Sequence, residues 1–323
     1  MHSLSVIIPC YNARQFILRC LKSIETSLMD VEVVIVEDCS KYKSDDLIVE
    51  YAKKSNLTIK YLENEKNLGA GESRNRGILE ATKEYITFLD SDDEFSPDYF
   101  ECVKKVVGQK YDIIVYDAVR LFQNNSKQMM NMFFSSNIQE GPVDPKQTLV
   151  YVKGSTCGKI YKTDVVKQNH IKFGRIPRNE DLVFSKTAIS YANNVFYIKR
   201  PLYIYNDNES SLMNDSSLNK PDNALTAYRL VCGNLENRNF ESELNSIFFI
   251  EILYSVISTM IQWKYSDEEV ENNYKIYRKM YNKKDKYRRN YSLKYKVPFI
   301  LFEFKLFRLY SVLRNCYKKY LNS

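Results

Sequence analysis

A chain of 323 residues with 44% hydrophobic and 27% charged side chains can bury one large core or two smaller ones, which excludes disorder over most of its length. Its seven cysteines are odd in number and form no C-x-x-C pair, so neither a disulfide framework nor a zinc site is indicated and a reducing cytoplasm fits. The net charge of +7 is uneven, because residues 281–323 hold twelve Lys/Arg against Asp285 and Glu303, a local balance of +10 that leaves about −3 for the rest.

The opening MHSLSVIIPCYN has no basic segment followed by a long apolar one, so it reads as a first strand, Ser5 to Ile8, stopped by Pro9, and not as a leader. Apolar positions Phe16, Ile17, Cys20, Leu21, Ile24 and Leu28 then recur at helical spacing. Val31 to Val36 is a second strand, too uniformly β-branched for a surface element, and Leu47 to Ala52 a second helix capped by Ser44 or Asp45. A parallel βαβ unit is the economical reading. Ile59 to Leu62 is a third strand, Glu72 to Thr82 a helix and Tyr85 to Leu89 a fourth strand. Ser96-Pro97 opens another helix, and Asp112 to Tyr116 is a fifth strand. The class is α/β.

In open α/β sheets ligands bind at the carboxyl ends of the strands. The residues there are Pro9-Cys10-Tyr11-Asn12, Glu37-Asp38-Cys39-Ser40 and the run FLDSDDE, in which Asp90, Asp92, Asp93 and Glu94 crowd into five positions. One or two of these acids are explained by an Asx turn or by the dipole of the following helix. Four are not. Carboxylates this close are tolerated when a divalent cation neutralises them, and a hard oxygen set suits Mg²⁺ or Mn²⁺ shared with substrate phosphates.

SVIIPCYN, VVIVEDCS, NLGAGESRNRGILEA, YITFLDSDDEF, CGKIYKTDV, RNEDLVFS and PLYIYNDNESSL occur in this order from Leu4 to about Leu212. Together they resemble an inverting family 2 glycosyltransferase of the type A fold, in which an Asp-x-Asp motif after a strand holds a metal and a nucleotide-sugar. The resemblance implies a Rossmann-like mixed sheet of the glycosyltransferase A type over residues 1–216, with a nucleotide-binding part to residue 117 and an acceptor part from 118, followed by a helical C-terminal extension, 217–323. It also implies that Pro9, Tyr11 and Asn12 line the uridine pocket and that Asp38 accepts from the uracil ring. Arg74 would lie near the base or phosphates, Asp90 and Ser91 would face the ribose and metal shell, and Asp92 would bind Mn²⁺ or Mg²⁺ directly. Asp181 would be the base that activates the acceptor hydroxyl, with Glu180 as its competitor. Read without the resemblance, Glu180-Asp181 is the acidic first turn of the helix that follows.

Transfer of a hexosyl or N-acetylhexosaminyl group from a UDP-sugar to a glycan or lipid-linked saccharide is the expected activity. The rival reading is a degenerate module of the same fold that holds a nucleotide or glycan without turnover. It draws on two departures: Cys39 stands where relatives carry Gly, and Asn206-Asp207 stands where many carry Arg or His, leaving Ser210, Ser211, Asn206 or Asp207 to meet the diphosphate or metal. Residues 206–222 read as a loop, with the character of a mobile lid, and 224–279 as helical. The apolar run 247–263 is broken by Glu251 and Gln262 and falls short of a membrane span, so a buried helix is expected. In the basic tail, apolar residues from Val297 to Leu313 exceed what one helix face needs. A helix in the anionic interface of the inner membrane face is the expectation, against packing on the body; nucleic acid is not indicated.

Overall fold

The computed structural model describes residues 2–135, 137–208, 221–282, 285, 287, 290–291 and 293–321. Strands β1 (Ser3–Cys10), β2 (Asp30–Glu37), β3 (Thr58–Glu63) and β4 (Tyr85–Phe88) alternate with helices α1 (Ile17–Lys22), α2 (Asp45–Ala52) and α3 (Ala70–Glu80). They pair in parallel in the order β3-β2-β1-β4, the arrangement that βαβ crossovers impose. Within β1, Leu4, Val6 and Ile8 face one buried layer and Ile7 the other, so the strand is apolar on both sides.

Pro9 does not end β1. It pairs with Val36 of β2, while β4 stops at Phe88 opposite Ile7, so no neighbour on that side requires the missing N–H. The helix expected over 16–28 is only α1, because the chain turns at Ser23. Ser96-Pro97 precedes its helix without capping it: α4 (Tyr99–Val107) starts after Asp98, to which the Ser96 hydroxyl donates at 2.6 Å.

Beyond α4 the sheet becomes mixed. β5 (Glu94–Phe95), β6 (Ile113–Leu121), β7 (Lys127–Met130), β8 (Gly141–Val143), β9 (Lys159–Lys162) and β10 (Val195–Asn206) extend it to ten strands, continuing from β4 as β9-β6-β10-β5. β9 lies antiparallel between β4 and β6, and β10 runs parallel to β6 with register shifts around Pro201. Helices α5 (Pro145–Tyr151), α6 (Thr163–Gln168) and α7 (Glu180–Tyr191) belong to this half.

The C-terminal region is helical: α8 (Pro221–Asn234), α9 (Glu241–Ile247), a π-helical stretch Phe248–Tyr254, α10 (Ser255–Gln262), α11 (Asp267–Met280), α12 (Leu293–Glu303) and α13 (Phe307–Leu321). The continuous run Glu241–Gln262 is, by length and composition, able to cross a membrane. Here Ile247, Phe249, Ile250, Leu253 and Ile257 are buried in the same apolar core as Ile7, Phe88 and Phe184 of the α/β part. The tail is two-faced. Phe299, Phe302, Phe307 and Tyr310 join that core, while Leu293 (74% exposed), Phe304 (72% exposed), Ile300, Leu309 and Val312 face outward.

Candidate active site

The carboxyl ends of β1 and β2 build one half of the site. Asn12 and Cys39 both adopt left-handed backbone, with φ of 51° and 60°, which explains why glycine suits the second position. The Asn12 N–H donates to Ser40 Oγ at 2.8 Å, and the buried Glu37 accepts from the Ser40 N–H at 3.0 Å, locking the two loops together. Pro9 lies one position before the end of β1 at Cys10, and Tyr11 projects outward half-exposed.

Asp38 is buried, and its carboxylate braces the loop entering α3. Oδ1 accepts from Asn64 Nδ2 at 2.7 Å and from the Leu68 N–H at 2.8 Å, and Oδ2 from the Gly69 N–H at 2.7 Å. A carboxylate has about four acceptor positions, so one remains on Oδ2.

The second half is organised by Arg74 of α3, which is 5% exposed. Its guanidinium reaches three carboxylates: Nη2 lies 2.7 Å from Asp90 Oδ1, and Nη1 3.1 Å from Asp181 Oδ1 and 3.4 Å from Glu180 Oε1. The Asp-x-Asp loop and the acidic first turn of α7, 90 residues apart in sequence, therefore share one cation. Glu180 and Asp181 stand at the helix N-terminus, where the backbone dipole favours anions. One positive charge against three acids is incomplete compensation. Burial, then the adjacent Asp181, pushes the Glu180 carboxyl up to about 7, with Arg74 opposing.

The other acids of FLDSDDE are separated by their partners. Asp93 is buried, accepts from the Tyr203 hydroxyl at 2.6 Å and the Asn206 N–H at 2.8 Å, and is raised well above the carboxylate range by burial and then by Asp90 and Asp92. Glu94 pairs with Arg19 at 3.0 Å. Asp92 accepts from Asn208 Nδ2 at 2.5 Å, while Ser91 is buried beside it. Of the residues considered for the diphosphate, Asn206 is tied to Asp93 and Glu94, and Asp207 pairs with Arg120 at 2.5 Å. Ser210 and Ser211, with most of the expected 206–222 loop, lie outside the described residues.

Among the described residues no three His, Cys, Asp or Glu side chains are arranged to hold a metal alone. A Mg²⁺ or Mn²⁺ site completed by substrate phosphates and water needs only one or two carboxylates. Asp92 fits that role, since burial and then the charge of Asp90 hold its carboxyl above the usual range, a condition a cation relieves.

Sequence reasoning missed Tyr203 and Arg19, which reach this loop from β10 and α1. It also missed Thr156, whose N–H donates to Asp181 Oδ2 at 3.2 Å, and the Cys157 thiol, 3.7 Å from Asp90 Oδ2. The motif CGKIYKTDV contains Cys157, but nothing in it marks an acid partner.

Residues 5–168 match the family described as Glycosyl transferase family 2. The chain is 30% identical over 272 residues to EpsH of Bacillus subtilis (strain 168), named as a glycosyltransferase, covering 82% of this chain and 78% of that protein. It is 24% identical over 257 residues to the poly(ribitol-phosphate) beta-N-acetylglucosaminyltransferase TarS of Staphylococcus aureus (strain MW2), covering 78% of this chain but 44% of TarS, less than half its length. Among solved structures, S. aureus TarS 1–349 in complex with UDP-GlcNAc superposes with a TM-score of 0.67 at 21% identity, over 88% of this chain and 93% of that one. The complex with UDP gives 0.67 at 22% identity, over 84% and 78%. At that identity the likeness establishes the fold, and the family match and EpsH carry the assignment: the chain belongs to glycosyl transferase family 2 and is a glycosyltransferase with the type A fold.

Proposed function

We propose that the chain transfers a hexosyl or N-acetylhexosaminyl group from a UDP-sugar to a hydroxyl of a lipid-linked glycan, with inversion at the anomeric carbon. The observation that carries this reading is the meeting of Arg74 with Asp90, Glu180 and Asp181, which joins the strand-end loops to a helix-mounted acid pair. A UDP-sugar donor is supported by TarS, whose structures hold UDP and UDP-GlcNAc, and a polymeric hydroxyl-bearing acceptor by its name, a poly(ribitol-phosphate) beta-N-acetylglucosaminyltransferase.

Pro9, Tyr11 and Asn12 line the uridine pocket, and the uracil N3–H is assigned to the remaining acceptor position of Asp38. Asp90 and Ser91 face the ribose. Asp92, with Asp90 beside it, would hold Mn²⁺ or Mg²⁺, which when bound neutralises the departing diphosphate. Arg74, held against Asp90 of the same loop, is the cation assigned to that developing charge.

Asp181 is assigned as the base because it is oriented from both sides, by Arg74 on Oδ1 and the Thr156 N–H on Oδ2. Each oxygen keeps a lone pair for the acceptor proton. A single base acting from the face opposite the leaving group gives inversion. Glycosidases instead need two carboxylates flanking the bond.

The outward face of α12, the turn after it and α13 carries Leu293, Ile300, Phe304, Leu309 and Val312 within a segment of net charge +10. Apolar insertion and attraction of about 1 kcal/mol per Lys/Arg near anionic lipid hold the enzyme at the cytoplasmic membrane face, where a lipid-linked acceptor is presented.

Calorimetric titration of UDP tests the nucleotide and metal assignments together. Binding is expected to strengthen in Mn²⁺ over chelator, and Asp92→Ala to abolish that difference. Equal affinity in Mn²⁺ and chelator for the unmodified chain would overturn the metal-bridged reading.

A further inference from the structure

Three ionisable side chains lie behind the acid pair without touching it. Lys186, on α7 beyond Glu180-Asp181, and Lys159, which opens β9, are both fully buried, and Glu251 comes from the π-helical stretch of the C-terminal region. They converge on the stretch from the last turn of α5 to the start of β9. Lys186 Nζ donates to the Leu149 carbonyl at 2.9 Å and the Val152 carbonyl at 2.5 Å, and lies 3.6 Å from Glu251 Oε1. Lys159 Nζ donates to the Lys153 carbonyl at 2.9 Å and also to the Ser155 carbonyl. Glu251 Oε1 accepts from the Gly154 N–H at 3.1 Å.

Five main-chain groups between residues 149 and 155 are thus captured by three charged side chains. The next two residues are the ones that meet the acids, Thr156 on Asp181 and Cys157 on Asp90. Buried ammonium groups are costly: burial, then mutual repulsion, brings Lys159 down to about 7, and burial brings Lys186 down to about 8 despite Glu251. A neutral packed segment would avoid that cost, so stability alone does not explain the arrangement. The π-helical turn has the same bearing, since such turns are rare and recur at functional sites.

We propose that Glu251, Lys159 and Lys186 form a positioning network that fixes the 149–157 segment and, through the Thr156 N–H, the direction in which Asp181 presents its carboxylate. The C-terminal helices thereby take part in catalysis from behind the site. The consequence for turnover rests on Asp181 acting as the base.

Glu251→Ala removes the anchor of Gly154, and Glu251→Gln restores an acceptor of the same reach. Two readouts are taken: amide exchange over residues 152–158, and UDP release from UDP-GlcNAc with water as acceptor. For Glu251→Ala, faster exchange is expected with kcat down about tenfold and KM for UDP-GlcNAc within twofold; Glu251→Gln is expected to recover most of both. Faster exchange with unchanged kcat, or equal losses in the two variants, would overturn the network's role. Should the unmodified chain release no UDP from UDP-GlcNAc or from UDP-glucose, the donor reading fails on that control. The segment is still decided by exchange, which if unchanged in Glu251→Ala refutes the anchor. Should Glu251→Ala not fold, Glu251→Gln is judged by the same two readouts against the unmodified chain, and a loss as large as tenfold there refutes the hydrogen-bond account.

Discussion

Replacing Arg74 by Met keeps the length of the side chain and removes the one cation that Asp90, Glu180 and Asp181 share. Removing one partner of a buried ion pair costs about 3–5 kcal/mol, because the remaining charges stay buried and uncompensated. With an unfolding entropy of about 2.1 cal/mol/K per residue, the chain loses roughly 0.7 kcal/mol of stability per degree near its midpoint. The expected fall in Tm is therefore about 4–7 °C at neutral pH. The pH dependence has a definite sign. Glu180 has a folded pKa of about 7 against 4.5 for the free group, so between those values the folded state binds the extra proton and stability declines as pH rises. Without Arg74 to oppose it, the upward shift grows, and the Tm deficit is larger at pH 8 than at pH 5. Thermal scans of both proteins at those two pH values measure this. A deficit under 1 °C at pH 8, or one of equal size at both, would refute the claim that Arg74 compensates the acid set.

Gly77→Ala places a Cβ 2.4 Å from Ile7 Cγ2, where α3 packs on β1; overpacking of this kind costs about 1–3 kcal/mol, and a Tm lower by roughly 1–4 °C is expected, against no change if the helix can shift freely. Leu293→Ser with Phe304→Ser alters only the outward face of α12 and the turn after it. The pair is expected to weaken sedimentation with anionic vesicles several-fold with Tm within about 1 °C, and undiminished sedimentation would remove the membrane role of that face.

The first half of the sheet was legible because parallel strands buried on both faces read as β-branched and aromatic runs, as in Val31 to Val36 and Tyr85 to Phe88. The long strand β10 was not, because Lys199, Arg200 and Pro201 interrupt it and its bulge there breaks the alternation on which pattern reading depends. In the site, the acids could be named from spacing and family resemblance, whereas the partner of each could not. That Arg74 would take Asp90 and the α7 acids together depends on the first turn of α3 meeting the start of α7, where Gly71 leaves Glu180 room to approach, and that Asp38 would take the N–H groups before α3 depends on the path of that loop. The division of labour within FLDSDDE was equally hidden. Asp93 is set apart from Asp92 by Tyr203 and the Asn206 N–H, which reach it from β10, 110 and 113 residues away, while Asp92 meets Asn208. The apolar excess of the tail reads in sequence as either an interfacial membrane helix or a helix packed on the body. It proves to have two faces, one completing the core and one outward.

The most direct test of the account is a paired measurement on Asp181→Asn and the unmodified chain: calorimetric affinity for UDP-GlcNAc in Mn²⁺, and the rate of UDP release from it. A base acts on the acceptor in the transition state and not on the bound donor. The account predicts affinity within about twofold and turnover lower by a factor of 10² or more, the range general-base removal gives. Near-normal turnover in Asp181→Asn would contradict it and move the role to Glu180. Loss of donor affinity in step with turnover would contradict the division of the site into donor-binding strand ends and a separate base.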